Sequence, residues 1–266
     1  MNAPLVDAAL TGADTATPVL GAHGLSFAHA GVGTVFDGIS LAIRRREIVA
    51  LLGSSGCGKS TLLRVLAGLE KPATGEVRFL GQPQAAPHPR SALVFQQPSL
   101  LPWLRLADNV GFGLDFAHQP RAGKDALKAR IAAAIEAVGL AGREAAYPAQ
   151  LSGGMAQRAA LARALAREPE LLFADEPFSA LDAITRAEMQ ALLVDVVHRW
   201  HSAVLLVTHD IDEAILVADR ILLMGGRPGH LVQEWTVDIP RNREDHPDGV
   251  AGLRLAILAA LRHASP

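Results

Sequence analysis

This sequence has one cysteine, few aromatic residues and no large excess of either charge. The single cysteine, Cys57, excludes an intrachain disulfide and is typical of a reducing compartment. Lys and Arg number 25 against 27 Asp and Glu, a balance that argues against a dedicated nucleic-acid-binding protein. No apolar run approaches the roughly 20 residues that a membrane-spanning helix needs. The first basic residue is Arg44, so we expect no secretory signal, which begins with a basic region.

The chain is long and apolar enough to bury a large core, with 266 residues of which 50% are hydrophobic. We expect a flexible N-terminal extension over 1–20, one domain over 21–240, and a C-terminal tail with a short helix over 241–266. After a predicted helix over 155–167, strands and helices alternate, which predicts a mainly parallel sheet covered on both faces. Helical material over about 97–160 is predicted to be inserted into that sheet.

Apolar runs and helical periodicity place the elements. Short apolar clusters between Leu25 and Ile43 suggest strands separated by glycine-rich turns. Further strands are predicted over 48–52, 76–81, 92–95, 170–174, 203–208 and 231–239. Helices are predicted over 61–69, 127–138, 155–167, 187–200 and 251–263.

A glycine-rich loop follows the apolar run 48–52 and precedes a predicted helix. It fits the pattern G-x-x-x-x-G-K-[ST], and this context disfavours the alternative of a Gly/Ser turn with an unrelated lysine. Its glycines let backbone N–H groups wrap an anion, Lys59 supplies a cation, and the hydroxyl of Ser60 suits Mg²⁺. The same N–H groups and Lys59 are expected to favour the thiolate of Cys57. The predicted nucleotide-binding residues here are Gly53, Ser54, Ser55, Gly56, Cys57, Gly58, Lys59, Ser60 and Thr61.

Two further motifs carry candidate chemistry. The apolar run Leu171–Ala174 ends in two carboxylates, of which Asp175 is predicted to hold Mg²⁺ and Glu176 to accept a proton from an attacking water. Away from a phosphate loop, such a pair is more often a plain strand end. Ser152-Gly-Gly154 opens a predicted helix as an N-cap with two glycines, which permits close approach of an anion. An ordinary helix cap is the alternative for this motif.

The string Leu151-Ser-Gly-Gly-Met-Ala-Gln-Arg158 resembles the signature of the ATP-binding-cassette (ABC) ATPases, and its Ser152 stands 23 residues before Asp175, as in that family. The resemblance covers about residues 22–240. It implies an α/β fold, with a P-loop NTPase (RecA-like) core, an N-terminal antiparallel β-subdomain and an inserted α-helical subdomain. It also implies ATP and Mg²⁺ as ligands.

The same resemblance assigns roles to further residues. Gln96 corresponds to the Q-loop glutamine that contacts Mg²⁺ and the attacking water, Asp182 belongs to the D-loop 179–182, and His209 corresponds to the switch histidine at the γ-phosphate. The family usually stacks adenine on an aromatic residue of the first strands, where this sequence departs from the common Tyr and has His29. Phe27 is the alternative stacking residue, although a core position suits it better.

Four strings resemble the ATPases of nitrate, sulfonate and taurine importers: Leu100–Trp103, Asp108–Val110, Thr208–Ala214 and Arg227–Gly229. This implies ATP hydrolysis that drives uptake of a small anion. The alternatives are an exporter ATPase, or an importer of thiamine precursors or other small molecules.

The partners are also implied by the resemblance. They are a second copy of the chain, integral membrane permease subunits and a periplasmic solute-binding protein, with no nucleic acid, at the cytoplasmic face of the inner membrane. In the homodimer each ATP lies between the phosphate loop of one chain and Ser152, Gly153 and Gly154 of the other. The apolar stretch Leu100–Trp103 is expected to receive a helix of the permease, and the alternative places Trp103 in the core of the helical insertion.

Overall fold

The computed structural model describes residues 17–29, 31, 33–116, 119 and 122–264. In chain order the strands are β1 (Leu20–His29), β2 (Gly33–Ile43), β3 (Ile48–Gly53), β4 (Thr74–Phe79), β5 (Gln82–Pro83), β6 (Ser91–Val94), β7 (Leu171–Asp175), β8 (Ala203–Thr208), β9 (Arg220–Gly225) and β10 (His230–Thr236). The α-helices are α1 (Lys59–Leu66), α2 (Leu106–Gly111), α3 (Lys124–Ala137), α4 (Gly153–Leu165), α5 (Ala183–Trp200), α6 (Ile211–Val217) and α7 (Pro247–Ala264). Single turns of 3₁₀ helix lie at Pro148–Gln150 and Arg243–Asp245.

The larger sheet has the strand order β10-β9-β3-β8-β7-β6. Strands β9, β3, β8, β7 and β6 are parallel, and β10 runs antiparallel to β9 at the edge. Every residue of β3, β8 and β9 is buried. A strand buried on both faces is written as an unbroken apolar run, which is why these strands show no polar alternation. The predicted parallel sheet is confirmed.

Two hydrophobic cores cover the two faces of this sheet. Along β3, Ile48, Ala50 and Leu52 face one core, while Val49 and Leu51 face the other, as the alternation of strand side chains requires. The first core includes residues of α2, α3, α4, α5 and α6. The second includes residues of α1 and of the smaller sheet. The parallel sheet is thus the middle layer and holds its strand ends rigidly.

The smaller sheet is antiparallel, with the strand order β2-β1-β4-β5. It confirms the predicted N-terminal antiparallel β-subdomain. Residues 1–16 of the predicted extension lie outside the described residues. Val19 and Leu20 are fully buried, so the folded domain begins slightly before the predicted boundary at residue 21.

Helices α2, α3 and α4 lie between β6 and β7 along the chain and pack against one another. Helix α4 also contacts β6 and α5, so it links the helical segment to the parallel sheet. This is the region predicted as an insertion over about 97–160. Its division from the sheet core as a separate subdomain stays a prediction.

Several elements differ from the sequence-based expectation. Helices α2 and α6 and strands β5 and β9 were not predicted. Helix α7 begins at Pro247 rather than at residue 251, and β10 ends at Thr236 rather than at residue 239. Within the described residues, no helix has the length and apolar character to cross a membrane.

Candidate functional site

The carboxyl ends of three neighbouring parallel strands carry the predicted site residues. In the sheet β8 lies between β3 and β7. Leu52 is level with Thr208, and Val207 is level with Asp175. The glycine-rich loop after β3, the acidic pair at the end of β7 and His209 after β8 therefore meet at one edge. This edge is where ligands bind in open α/β sheets.

The loop between β3 and α1 is folded around its own lysine. Lys59 is only 5% exposed, and its Nζ donates to the carbonyls of Gly53 at 2.8 Å and Ser54 at 3.0 Å. Gly58 precedes α1 with φ of 100°, and a Cβ there would lie 2.9 Å from Cγ1 of Val35. Glycine is therefore required at this position. The loop presents the N-terminal end of α1, which favours an anionic group.

Ser60 and Asp175 provide adjoining oxygen atoms below the loop. The Ser60 hydroxyl donates to Oδ1 of Asp175 at 2.9 Å. Burial is the main cause that raises the pKa of Asp175, and the negative charge of Glu176 acts in the same direction. A hydroxyl and a carboxylate are hard oxygen ligands of the kind that Mg²⁺ takes together with phosphate oxygens and water, so these residues fit that ion. Gln96 is exposed and follows β6, the strand next to β7.

Glu176 and His209 lie side by side at the same edge. Nδ1 of His209 is 3.2 Å from Oε2 of Glu176. The backbone of Glu176 has φ of 45° and its N–H donates to the carbonyl of Val207 at 2.9 Å, while the Ser179 hydroxyl donates to the Glu176 carbonyl at 2.9 Å. These bonds hold the main chain of Glu176 in place, and this determines where its carboxylate lies.

The signature residues lie at the start of α4, outside the group formed by Lys59, Ser60, Asp175, Glu176 and His209. Ser152 caps α4 and accepts the N–H of Met155 at 3.3 Å. Ser152 and Gly153 are exposed. A Cβ at Gly154 would lie 2.5 Å from Cγ2 of Thr185, so glycine is needed where α4 meets the start of α5. The exposed helix start can approach a group that this chain does not supply.

Asp182 serves as the N-cap of α5. Its carboxylate accepts the N–H groups of Ile184 and Thr185, each at 3.1 Å, and the Thr185 hydroxyl at 2.7 Å. These bonds, above all the one from the Thr185 side chain, lower the pKa of Asp182. Its oxygens are therefore engaged by its own helix, and its expected role at the nucleotide stays a prediction.

The two candidates for adenine stacking differ in burial. Phe27 is buried and stacks on Phe36 at 5.9 Å between ring centroids. His29 is exposed at the end of β1, and its ring meets Phe27 edge-on at 5.0 Å. The aromatic face that remains accessible is that of His29.

The expectation of a thiolate at Cys57 is wrong. The side chain is buried, and burial raises the pKa of the thiol more than the nearby charge of Lys59 lowers it. The sulfur packs within the loop, where a Cβ on Gly53 would lie 3.0 Å from it. Desolvation of the small side chain outweighs the field of the loop.

No role was predicted for the residues that fix the backbone after β6, although Gln157 lies within the signature string 151–158. Gln157 donates to the carbonyl of Phe95 at 3.1 Å, and Arg163 donates to the carbonyls of Pro98 and Ser99, each at 2.9 Å. Both donors lie on α4, so the signature helix holds the backbone on either side of Gln96. The available signal was polar residues within an Ala/Leu helix, of which Gln157 is buried.

The loop after this turn presents Trp103 to solvent. Buried Asn109 accepts the N–H of Leu101 at 2.8 Å and donates to the carbonyls of Leu101, Leu104 and Arg105 at 3.0–3.2 Å. Trp103 is 70% exposed. The alternative that Trp103 belongs to the core of the helical segment is therefore wrong.

The family model described as "ABC transporter" matches residues 36–179 of this chain. Among curated proteins, an aliphatic sulfonates import ATP-binding protein of Burkholderia lata is 47% identical over 95% of this chain and 89% of its own length. A protein of the same description from Nocardia farcinica is 52% identical over 86% of this chain and 88% of its own length.

Two solved structures resemble the fold. CbiO1 from Clostridium perfringens, part of the ABC transporter complex cbiONQ, superposes with a TM-score of 0.76 at 25% identity, over 92% of this chain and 99% of its own. A dimeric ATP-binding cassette in a post-hydrolysis state, bound to ADP and phosphate, superposes with a TM-score of 0.70 at 29% identity, over 82% of this chain and 98% of its own.

Proposed function

The chain belongs to the ABC transporter family, and from this we propose that it is the ATP-hydrolysing subunit of an importer of aliphatic sulfonates. The observation that carries the proposal is the meeting of Lys59, Ser60, Asp175, Glu176 and His209 at one sheet edge. It is supported by curated relatives, 47% and 52% identical, whose names state that they import aliphatic sulfonates. Those names favour import over the exporter and thiamine-precursor alternatives.

Each residue of the edge has a task in this proposal. The loop N–H groups and Lys59 bind the β- and γ-phosphates, and Lys59 exchanges its bonds to the Gly53 and Ser54 carbonyls for phosphate oxygens. Ser60, Asp175 and Gln96 are the residues that would hold Mg²⁺. When bound, that ion neutralises charge on the phosphate oxygens.

Glu176 accepts the proton of the attacking water in this scheme. His209, 3.2 Å from the Glu176 carboxylate, lies where it can contact both that acid and the γ-phosphate. The exposed aromatic face of His29 stacks on adenine. General-base catalysis by a positioned carboxylate contributes typically ~10²–10⁴-fold to such a reaction.

A second copy of the chain completes each site in the proposal. The exposed start of α4, with Ser152, Gly153 and Gly154, offers backbone N–H groups to the nucleotide of the partner copy. The solved neighbour with bound ADP and phosphate is itself dimeric. Two ATP molecules would therefore lie between two chains.

The membrane partner is assigned to the exposed loop that carries Trp103. Tryptophan is a favoured anchor at protein interfaces, and 70% of this side chain is accessible. The proposal places the chain peripherally at the cytoplasmic face of the inner membrane, bound there to permease subunits. A periplasmic solute-binding protein delivers the sulfonate to the permease.

Growth on a defined sulfur source tests this function. A strain lacking the gene for this chain should fail to grow on ethanesulfonate as sole sulfur source, and should grow normally on sulfate. The wild-type gene should restore growth, whereas Glu176→Gln should not, because that variant binds ATP without hydrolysing it. Loss of nitrate or thiamine utilisation, with normal growth on ethanesulfonate, would assign a different cargo.

A further inference from the structure

A buried acid lies directly behind the turn that carries His209. Glu213 is on the first turn of α6 and is only 5% exposed. Within the part of the chain that the structure describes, its Oε1 atom has no hydrogen-bond partner. The proposed hydrolysis does not use this side chain. A buried acid with a free oxygen is costly to keep, so its placement calls for a reason.

Glu213 is joined to the switch turn through Thr208. The hydroxyl of Thr208 lies near the Glu213 carboxyl, and its interaction with the ionised acid acts to lower the pKa of that carboxyl. The same hydroxyl accepts the N–H of Asp210 at 3.0 Å. The hydrogen bond between Thr208 and Asp210 thus spans His209. The Thr208 hydroxyl therefore lies between the Glu213 carboxyl and the backbone of the turn.

Asp210 ties the same turn to the D-loop. It caps α6 by accepting the N–H groups of Asp212 at 2.9 Å and Glu213 at 3.2 Å. Its Oδ2 is 3.6 Å from Nη1 of Arg186, whose Nη2 donates to the carbonyl of Leu181 at 3.1 Å. The turn, the start of α6 and the D-loop therefore form one bonded unit, with Glu213 at its buried end.

We propose that Glu213 is a positioning residue of the ATPase site, which fixes the His209 turn through Thr208 and contacts neither nucleotide nor water. This inference rests on the proposed ATPase function. It adds to that function a residue whose state governs whether His209 is correctly placed.

The charges around Glu213 determine how it responds to pH. Asp210 at its own helix and Glu176 after β7 are negative, Arg186 from α5 is positive, and on α7 Arg254 pairs with Asp212 instead. Burial, followed by the charge of Asp210, raises the pKa of Glu213 to about 8. The neutral acid therefore prevails at pH 7. Ionisation above pH 8 places a further negative charge beside Asp210 and Glu176. This repulsion outweighs the interaction with the Thr208 hydroxyl, which favours the ionised acid, and it loosens the turn.

The test compares the wild type with Glu213→Gln, which keeps the shape and cannot ionise. Wild-type kcat should be roughly tenfold lower at pH 9 than at pH 7, since one unit above a pKa about one molecule in ten stays protonated. Glu213→Gln should keep most of the activity at pH 7 and lose this alkaline fall, with KM for ATP unchanged. Glu136→Gln, at an exposed glutamate of α3, should behave as the wild type.

An NMR titration of the His209 imidazole reports on the turn without requiring ATP hydrolysis. The resonance is assigned by comparison with His209→Gln. The wild-type resonance should show a titration step near pH 8 that Glu213→Gln lacks. An identical alkaline fall and an identical step in both proteins would overturn the role of Glu213. Absence of hydrolysis at every pH would instead count against the ATPase function, while the His209 titration would still decide the role of Glu213.

Discussion

At the carboxyl edge of the parallel sheet, the strands that carry site residues are buried on both faces, whereas the segment between β6 and β7 exposes several large aromatic side chains. Strands β3 and β8 are buried at every residue. In the segment, Phe95, Trp103, Phe112, Phe116 and Tyr147 are all exposed. Of these, Phe112 and Phe116 contact each other edge-on, with their ring centroids 5.5 Å apart.

The two regions also differ in how they fix their side chains. At the sheet edge, candidate catalytic side chains also contact one another, as Ser60 does with Asp175 and Glu176 with His209. The helical segment uses polar side chains that bind main-chain carbonyls, as buried Asn109 and half-buried Arg163 do. The sheet edge therefore positions the candidate catalytic side chains, whereas the helical segment holds side chains that are exposed to solvent. Changes in the first should alter turnover, and changes in the second should alter stability or assembly.

Glu176→Gln should give the largest effect and belongs to the sheet edge. The amide keeps the shape of the acid but cannot take a proton, so ATP turnover should fall ~10²–10⁴-fold while MgATP still binds. The variant should accumulate as an ATP-bound dimer on a sizing column. Glu136→Gln, at an exposed glutamate, is the matched control. Near-normal hydrolysis by Glu176→Gln would remove this acid from the mechanism.

Asn109→Ala should break the support of the exposed loop. The change leaves the N–H of Leu101 and the carbonyls that Asn109 binds without partners, which should lower the free energy of unfolding by roughly 3 kcal/mol. Denaturant unfolding measures this loss, with Asp108→Asn on the exposed side of the same helix as control. A stability equal to that of the control would show that the loop is held by other contacts.

Trp103→Ala tests whether this exposed side chain of the same loop contributes to binding of the permease and not to the stability of the chain. Because the side chain is 70% exposed, the melting temperature and ATP binding of the isolated chain should stay nearly unchanged. Assembly with the permease should weaken by ~2 kcal/mol or more. A pull-down with the membrane subunit beside a thermal melt measures both. A loss of stability of ~3–5 kcal/mol would instead mark a core residue.

The same contrast explains which strands the sequence predicts. Strand β8 was predicted over its exact range. A strand buried on both faces is an unbroken apolar run, and here that run has the same bounds as the strand. Strand β9 was missed because it opens with Arg220, a buried charge paired with Glu47 and Glu234. Only the folded chain shows that these carboxylates neutralise it.

The helices show a similar limit. Helices α2 and α6 span six and seven residues, too few for a helical period to be recognised. The start of α6 did carry a signal, since Asp210 can cap and Glu213 stands three residues later.

The site residues divide along the same line. Residues in continuous motifs, such as the loop from Gly53 to Ser60, could be found from the sequence because their chemistry requires fixed residue types at fixed spacing. The contacts of Asn109, Arg163 and Glu213 could not, although Asn109 and Glu213 lie within strings that resemble the importer ATPases. The first two bind main-chain carbonyls, which any residue supplies, so the acceptor leaves no trace in the sequence. Glu213 acts through a burial that only the packed helix creates.

His29→Ala should give the smallest effect, and it tests whether the sheet edge alone holds the nucleotide. His29 lies at the end of β1 in the antiparallel sheet, outside both regions compared above. Loss of a stacked ring should weaken ATP binding by roughly 1 kcal/mol, by analogy with aromatic pairs, and His29→Tyr should match or exceed the wild type. His23→Ala, at an exposed histidine of the same strand, is the matched control. Titration calorimetry with ATP measures all three. Unchanged affinity in both His29 variants would return adenine stacking to another residue, and would mean that the phosphate-binding edge supplies nearly all of the affinity.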